Sequence, residues 1–181
     1  MSSIRSCRAS LNKVGNQLGS AVAAAMVFSA CAHGPQASSA AVEPGSGLVV
    51  QTSAQSFDAT VAAAEQAIES KGLTLAAALD HTENAKSAGL RLAPTTLLIF
   101  GNPEAGTPLM QNEQSIGIDL PMKLLVWEDA SGTVRLAYNA PEYLAARHGI
   151  AGAQKRLEKI AGVLQDIADA AARSAATTTA Q

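Results

Sequence analysis

The sequence predicts an α+β fold, a two-layer sandwich in the order β-α-β(4)-α, with an antiparallel sheet and a long C-terminal helix packed on it. Three stretches carry that prediction. Leu97-Leu98-Ile99-Phe100 is a continuous apolar run that stops at Gly101-Asn102-Pro103. Lys123–Asp129 and Thr133–Tyr138 flank Ser131-Gly132, the pattern of a β-hairpin. From Gln154 onward, Leu157, Ile160, Ala161, Leu164, Ile167, Ala168 and Ala171 recur at helical spacing. Strands followed by a closing amphipathic helix make a sheet with one helical layer.

Taken in order, Leu48–Thr52 is a short β-rich run and the first expected strand. Ser56 is a sound N-cap for a helix carrying Phe57, Val61, Ala64 and Ile68 on one face, with Gly72 past its end. A second strand is expected over 73–81 and a short polar helix within 82–89. Thr95–Phe100 is the third strand. Its unbroken apolar character predicts a central position, covered on both faces. Thr107 followed by Pro108 reads as a cap and an N1 proline, so a short helix is expected from there to about Gln114. An extended bridge over 116–121 then leads into the hairpin. Pro141 opens another short helix, and Gly149 ends it.

The N-terminal stretch has a different character. Residues 1–16 hold Arg5, Arg8 and Lys13 and no acid, and 18–30 are uncharged, small and apolar. That run is too short to cross roughly 30 Å of hydrocarbon as a helix. Such a charged start and short apolar core predict a signal peptide over 1–30. Val27-Phe28-Ser29-Ala30-Cys31 resembles a bacterial lipoprotein signal, with Phe28 where that signal usually carries Leu. The resemblance implies lipidation of Cys31 and attachment to a membrane facing the periplasm. Cleavage after Ala32, giving a soluble periplasmic or secreted protein, is the alternative. Residues 31–47, rich in Ala, Ser, Gly and Pro, read as a flexible tether to a domain at 48–171, and 172–181 as a disordered tail.

Composition narrows the function. The 181 residues carry a net charge of −2, which falls to −5 (ten cations against fifteen acids) once Arg5, Arg8 and Lys13 are removed. A mildly acidic domain without a basic stripe argues against nucleic acid as a partner. Cys7 and Cys31 both lie in or at the edge of the leader, so a disulfide framework in the domain is excluded.

Several segments are familiar. Leu97–Met110, Ile118–Asp129, Tyr138–Leu144, Ala145–Gly149 and Asp80-His81 resemble the family called domain of unknown function 302. The resemblance covers about 48–171. It implies a compact β-α-β(4)-α fold, often dimeric, without an assigned activity. Some relatives carry a cysteine where this chain has Gly101, so no thiol chemistry is expected here.

Chemical motifs are sparse. No nucleophile elbow, phosphate loop or dinucleotide fingerprint appears. His81, His148, Met110 and Met122 lack metal-ligand spacing, so no metal and no cofactor are expected. His81-Thr82-Glu83 lacks the paired cysteines of a zinc deaminase. The density of glycine, proline and capping residues between Gly101 and Pro108 points instead to a binding rim. There His81, Asn102, Thr107 and Met110, with Asp119 and Lys123 nearby, are expected to meet a small ligand, helped by free N–H groups at a helix start. The function expected is therefore an envelope-anchored small-ligand-binding or accessory domain. An enzyme using His81 as its base and a ligand-free structural dimer are the alternatives. A homodimer is expected to form through an edge of the antiparallel hairpin.

Overall fold

The structure, a computed structural model, describes residues 41–42 and 45–173. The expected signal peptide, Cys31 and residues 174–181 lie outside them. Five main strands and a two-residue strand form one antiparallel sheet, with helices between and after them. The α+β two-layer architecture with a long C-terminal helix is as the sequence predicts.

The sheet runs β1-β2-β6-β5-β4-β3. The strands are β1 (Ala41–Val42), β2 (Leu48–Thr52), β3 (Thr74–Asp80), β4 (Thr95–Gly101), β5 (Met122–Glu128) and β6 (Val134–Asn139). β1 falls inside the stretch read as an unstructured tether. It pairs Ala41 with Val50 and Val42 with Val49, along a β2 edge that would otherwise stay open. The chain reverses through Gly45 and Gly47, both at positive φ. At Gly47 space is also decisive, because a Cβ there would sit 2.1 Å from the Tyr143 ring.

Side chains alternate across the sheet. Thr96, Leu98 and Phe100 of β4 face the same side as Leu124 and Val126 of β5, Leu136 and Tyr138 of β6, and Val49 of β2. Two helices cover this side, α1 (Phe57–Ser70) and α5 (Gln154–Ala172). The Ser56 hydroxyl caps α1 by accepting from the Ala59 N–H at 3.4 Å. Ala64 and Ile68 of α1 and Leu164, Ile167 and Ala168 of α5 complete the core. Each large side chain buried there contributes about 1.5–3 kcal/mol.

Four expectations are corrected. β4 is interior but not central, one strand in from the β3 edge, and the described residues cover only one of its faces: Leu97 and Ile99 are half-buried where Leu98 and Phe100 are buried, because α1 and α5 both pack on the same side. The β5–β6 hairpin offers no edge, since β5 also pairs with β4 and β6 with β2. The next helix, α3 (Pro103–Asn112), starts four residues before Thr107. Asn102 caps it by accepting from the Glu104 N–H at 2.8 Å, Pro103 takes the first position, and Pro108 falls inside. Finally, residues 114–118 form a 3-10 turn rather than an extended bridge. Just past it, Lys123 Nζ donates to the carbonyl of its C-cap Asp119 and to that of Pro121, each at 2.9 Å. Two further helices, α2 (His81–Ser87) and α4 (Pro141–Arg147), are short.

Candidate functional site

The end of the sheet where β4 runs into α3 opens into a cleft of about 880 Å³, within the size range of small-molecule sites. Its floor is apolar and comes from the sheet and α5: Phe100, Met122, Ile160, Val163 and Leu164, with Leu73 before β3. One wall is the turn from Gly101 through Thr107 and Met110, and Leu120-Pro121 form another. Met110 and Leu120 are held there by a second apolar cluster built on Leu109, Ile116, Ala145 and Leu157.

Three cations line the mouth, Lys71 past the end of α1 and Arg156 and Lys159 on α5, against one acid, Glu104. They differ in what engages them. Lys71 pairs with Asp166 at 2.5 Å. Arg156 Nη1 donates to the Glu104 carbonyl at 3.2 Å. That bond has a backbone cause: Pro108 has no N–H to give the carbonyl four residues before it, and the guanidinium supplies the donor instead. A proline inside α3 thus ties Arg156 to the cleft rim. Among the described residues Lys159 has no ion pair, so its charge is available to a bound group. On a chain of net charge −2 this concentration of positive charge is local.

The cleft gathers part of the expected set of residues. Asn102, Thr107 and Met110 line it. The N–H groups at the start of α3 are not free, however. Glu104 N donates to the Asn102 side chain, and Ala105 N and Gly106 N donate to the Asn102 carbonyl at 3.0 and 3.1 Å. Any anion there meets side-chain cations, not a bare helix end. His81 lies elsewhere. β3 pairs Thr74 with Gly101 and Asp80 with Thr96, so His81 sits at the opposite end of β4 from Asn102, roughly 20 Å away along the strand. Among the described residues its ring has no hydrogen-bond partner.

Asp119 and Lys123 also stand apart from the cleft lining. Lys123, opposite Ile99, lies on the uncovered face, with its ammonium spent on carbonyls. Asp119 Oδ2 accepts from His148 Nε2 at 2.6 Å, and Arg147 Nη1 lies 3.4 Å from its other oxygen. His148 is therefore near the cleft end of the molecule and far from His81. The residues that sequence reasoning missed are Lys71, Arg156 and Lys159. Lys71 lies 85 positions before Arg156 in the chain, and only the packing of α1 against α5 brings them to one mouth.

Comparison with known proteins agrees with this architecture. The chain is 47% identical over 105 residues to proteins named "Fluoride-specific ion channel FluC 1" from Brucella suis biovar 1 (strain 1330) and "FluC 2" from Brucella melitensis biotype 1. The match covers 58% of this chain but only 41% and 39% of those proteins. The chain thus spans about two fifths of the curated relatives it matches. A crystal structure titled "uncharacterized conserved protein DUF302 from Bacillus stearothermophilus" superposes with a TM-score of 0.64 at 19% identity, covering 71% of this chain and 99% of that one. Its likeness is one of fold. The family described as "Domain of unknown function DUF302" matches residues 49–167, every strand of the sheet but the two-residue β1 and most of α5; this chain belongs to that family.

Proposed function

We propose that this chain is a small-ligand-binding accessory domain held in the cell envelope, and that its ligand is a largely apolar molecule bearing one anionic group. The observation that carries this reading is the cleft itself, an apolar floor of about 880 Å³ with Lys71, Arg156 and Lys159 at its mouth. An apolar body buries against Phe100, Met122 and Ile160, and the anion meets the cations of α5. The leader and Cys31 support attachment to the envelope. So does the similarity of 105 of its residues to part of proteins named as ion channels. Among the described residues no helix is long and apolar enough to cross a membrane. The reading assigns no transport activity to this chain.

An anionic naphthalene-sulfonate dye tests it. The dye's fluorescence rises saturably with wild-type protein, dodecanoate displaces it, and dodecanol displaces it less well. Lys159→Glu weakens dye binding about tenfold, equal to about 1.4 kcal/mol, and His81→Ala leaves it unchanged. Equal binding by wild type and Lys159→Glu, with both folded, rejects the cleft as the site.

The uncovered sheet face favours a second reading that adds to the first. We propose that it pairs with the same face of a second copy. Leu97, Ile99, Leu125 and Trp127 form an apolar centre with no helix of the described residues over it. Five strands at about 4.8 Å spacing and about 20 Å long give roughly 500 Å² in outline per copy. A pair then buries on the order of 1,000 Å², which reaches the size of a specific interface. Sedimentation at micromolar concentration reports a dimer for wild type and a monomer for Leu97→Lys. A wild-type monomer throughout that range rejects this pairing.

A further inference from the structure

Beyond the cleft lining, Ser115 and Asp119, four positions apart, align with His148, 29 positions after Asp119, at the junction of the 3-10 turn and α4. Asp119 Oδ2 lies 2.6 Å from His148 Nε2, and His148 Nδ1 lies 2.9 Å from Ser115 Oγ. An ionised carboxylate only accepts, so in the neutral ring the proton sits on Nε2 and the lone pair on Nδ1. The Ser115 hydroxyl is then the donor to Nδ1. This is the connectivity of a nucleophile, a base and an orienting acid, with the two ring nitrogens exchanged relative to the serine proteases. The exchange does not alter the chemistry, because either nitrogen accepts a proton while the other holds the carboxylate.

Burial follows the same division of roles. The His148 and Asp119 side chains are only 8% and 14% exposed, whereas Ser115 is open to solvent. Chain geometry fixes the arrangement: His148 ends α4, and Asp119 ends the 3-10 turn that begins beside Ser115. The charged groups around His148 are Asp119, Arg147 on the other carboxylate oxygen, and Glu113. Glu113 also sets a limit. Its carboxylate accepts the Ser115 N–H at 3.0 Å, so that N–H is not available to stabilise an oxyanion. Electrophiles with good leaving groups need that help least. A hollow of about 400 Å³ lined by Thr107, Met110, Gln111 and Gln114 adjoins the serine in the chain and offers room for a small acyl substituent.

We propose that Ser115 is an activated nucleophile, with His148 as its base and Asp119 as the positioning residue, and that small activated acyl esters acylate it. Ser115 Oγ bonds to the acyl carbon as its proton passes to His148 Nδ1. The ester C–O bond breaks, and the departing oxygen takes the proton from His148. The products are acyl-Ser115 and an alcohol or phenol, and water reverses the sequence to release the acid.

The test treats the full chain with p-nitrophenyl acetate and with a fluorophosphonate probe. The acetyl or phosphonyl adduct maps to the peptide holding Ser115, and Ser115→Ala abolishes it. His148→Gln slows labelling by at least 100-fold. Asp119→Asn slows it and changes its pH profile, which a purely structural role would not do. Ser131→Ala, an exposed serine elsewhere, leaves the rate unchanged. Should His148→Gln fail to fold, the wild-type adduct decides alone: it must sit on Ser115 and on no other exposed serine. Adducts spread over exposed serines, a rate that climbs steadily with hydroxide, or equal labelling of folded Ser115→Ala overturns the proposal.

Discussion

Leu97 and Leu98 are neighbours on one interior strand, identical in chemistry, and they meet different surroundings. Leu98 lies under α1 and α5 with none of its surface exposed. Leu97 lies on the opposite side of the same sheet, half-buried among Leu125 and the other outer residues. Ile99 and Phe100 repeat the contrast one step along. The difference teaches that an apolar run fixes a strand's place in the sheet but not the number of its covered faces. That number depends on where the helices go, and both long helices here go to one side.

The largest expected effect comes from breaking the two sides in turn. Leu98→Ala leaves a cavity inside a close-packed layer and costs about 2–5 kcal/mol. Leu97→Ala, assayed where the protein is monomeric, costs less than about 1.5 kcal/mol, because its side chain still touches water. Urea unfolding of both variants, with unchanged slopes, measures the pair. Equal losses would mean that the outer face is packed in the monomer after all.

A second test uses pH. Tyr138 belongs to the covered side, 5% exposed, and its hydroxyl donates to Gln165 Oε1 at 2.9 Å. Burial first, and then the carboxylates of Asp169 and Glu142, push its pKa from 10 up to about 12. The unfolded chain therefore ionises this phenol before the folded chain does. The tyrosine's contribution is complete below about pH 10 and is lost as pH rises toward 12. The wild type accordingly loses stability across that window faster than Tyr138→Phe. Parallel curves would place Tyr138 in a more open site than the covered face provides.

The parts of the molecule that were legible in the sequence were those set by local chemistry. β2, α1 with its Ser56 cap, α4 and α5 all stand where period and capping residues put them. The start of α3 was misread because two prolines compete for one signal. Pro103 behind Asn102 wins, and Pro108 is tolerated inside the helix because Arg156 satisfies the orphaned Glu104 carbonyl. Such a long-range donor leaves no mark on the local pattern. The candidate site was half legible for the same reason. Asn102, Thr107 and Met110 come from one continuous stretch, whereas Lys71 and Lys159 join them only through helix packing. His81 was placed at the rim by its chemistry alone, and the antiparallel register sends it to the other end of the strand.

The smallest expected effect lies on the uncovered side, in the turn between β5 and β6. The Asp129 carboxylate accepts from the Ser131 hydroxyl at 2.5 Å and from Arg135 Nε at 2.6 Å, and also from the Ser131 and Thr133 N–H groups. The Ser131 hydroxyl first and the Arg135 guanidinium second hold its pKa well below the usual carboxylate range. A depressed carboxylate stabilises the fold above its unfolded pKa, and that contribution fades as pH falls through the folded value. Because Asp129 and Arg135 are reached by water, the pair adds little to global stability. The effect is therefore sought in the titration of Asp129, followed by its carboxyl carbon resonance. Ser131→Ala should raise that pKa more than Arg135→Ala does, since the hydroxyl is the stronger cause, while neither variant shifts the urea midpoint as Leu98→Ala does. Were Arg135→Ala to unfold the protein as readily as the core variant, the outer face would be structural in the monomer, and the contrast between the two sides of β4 would fail.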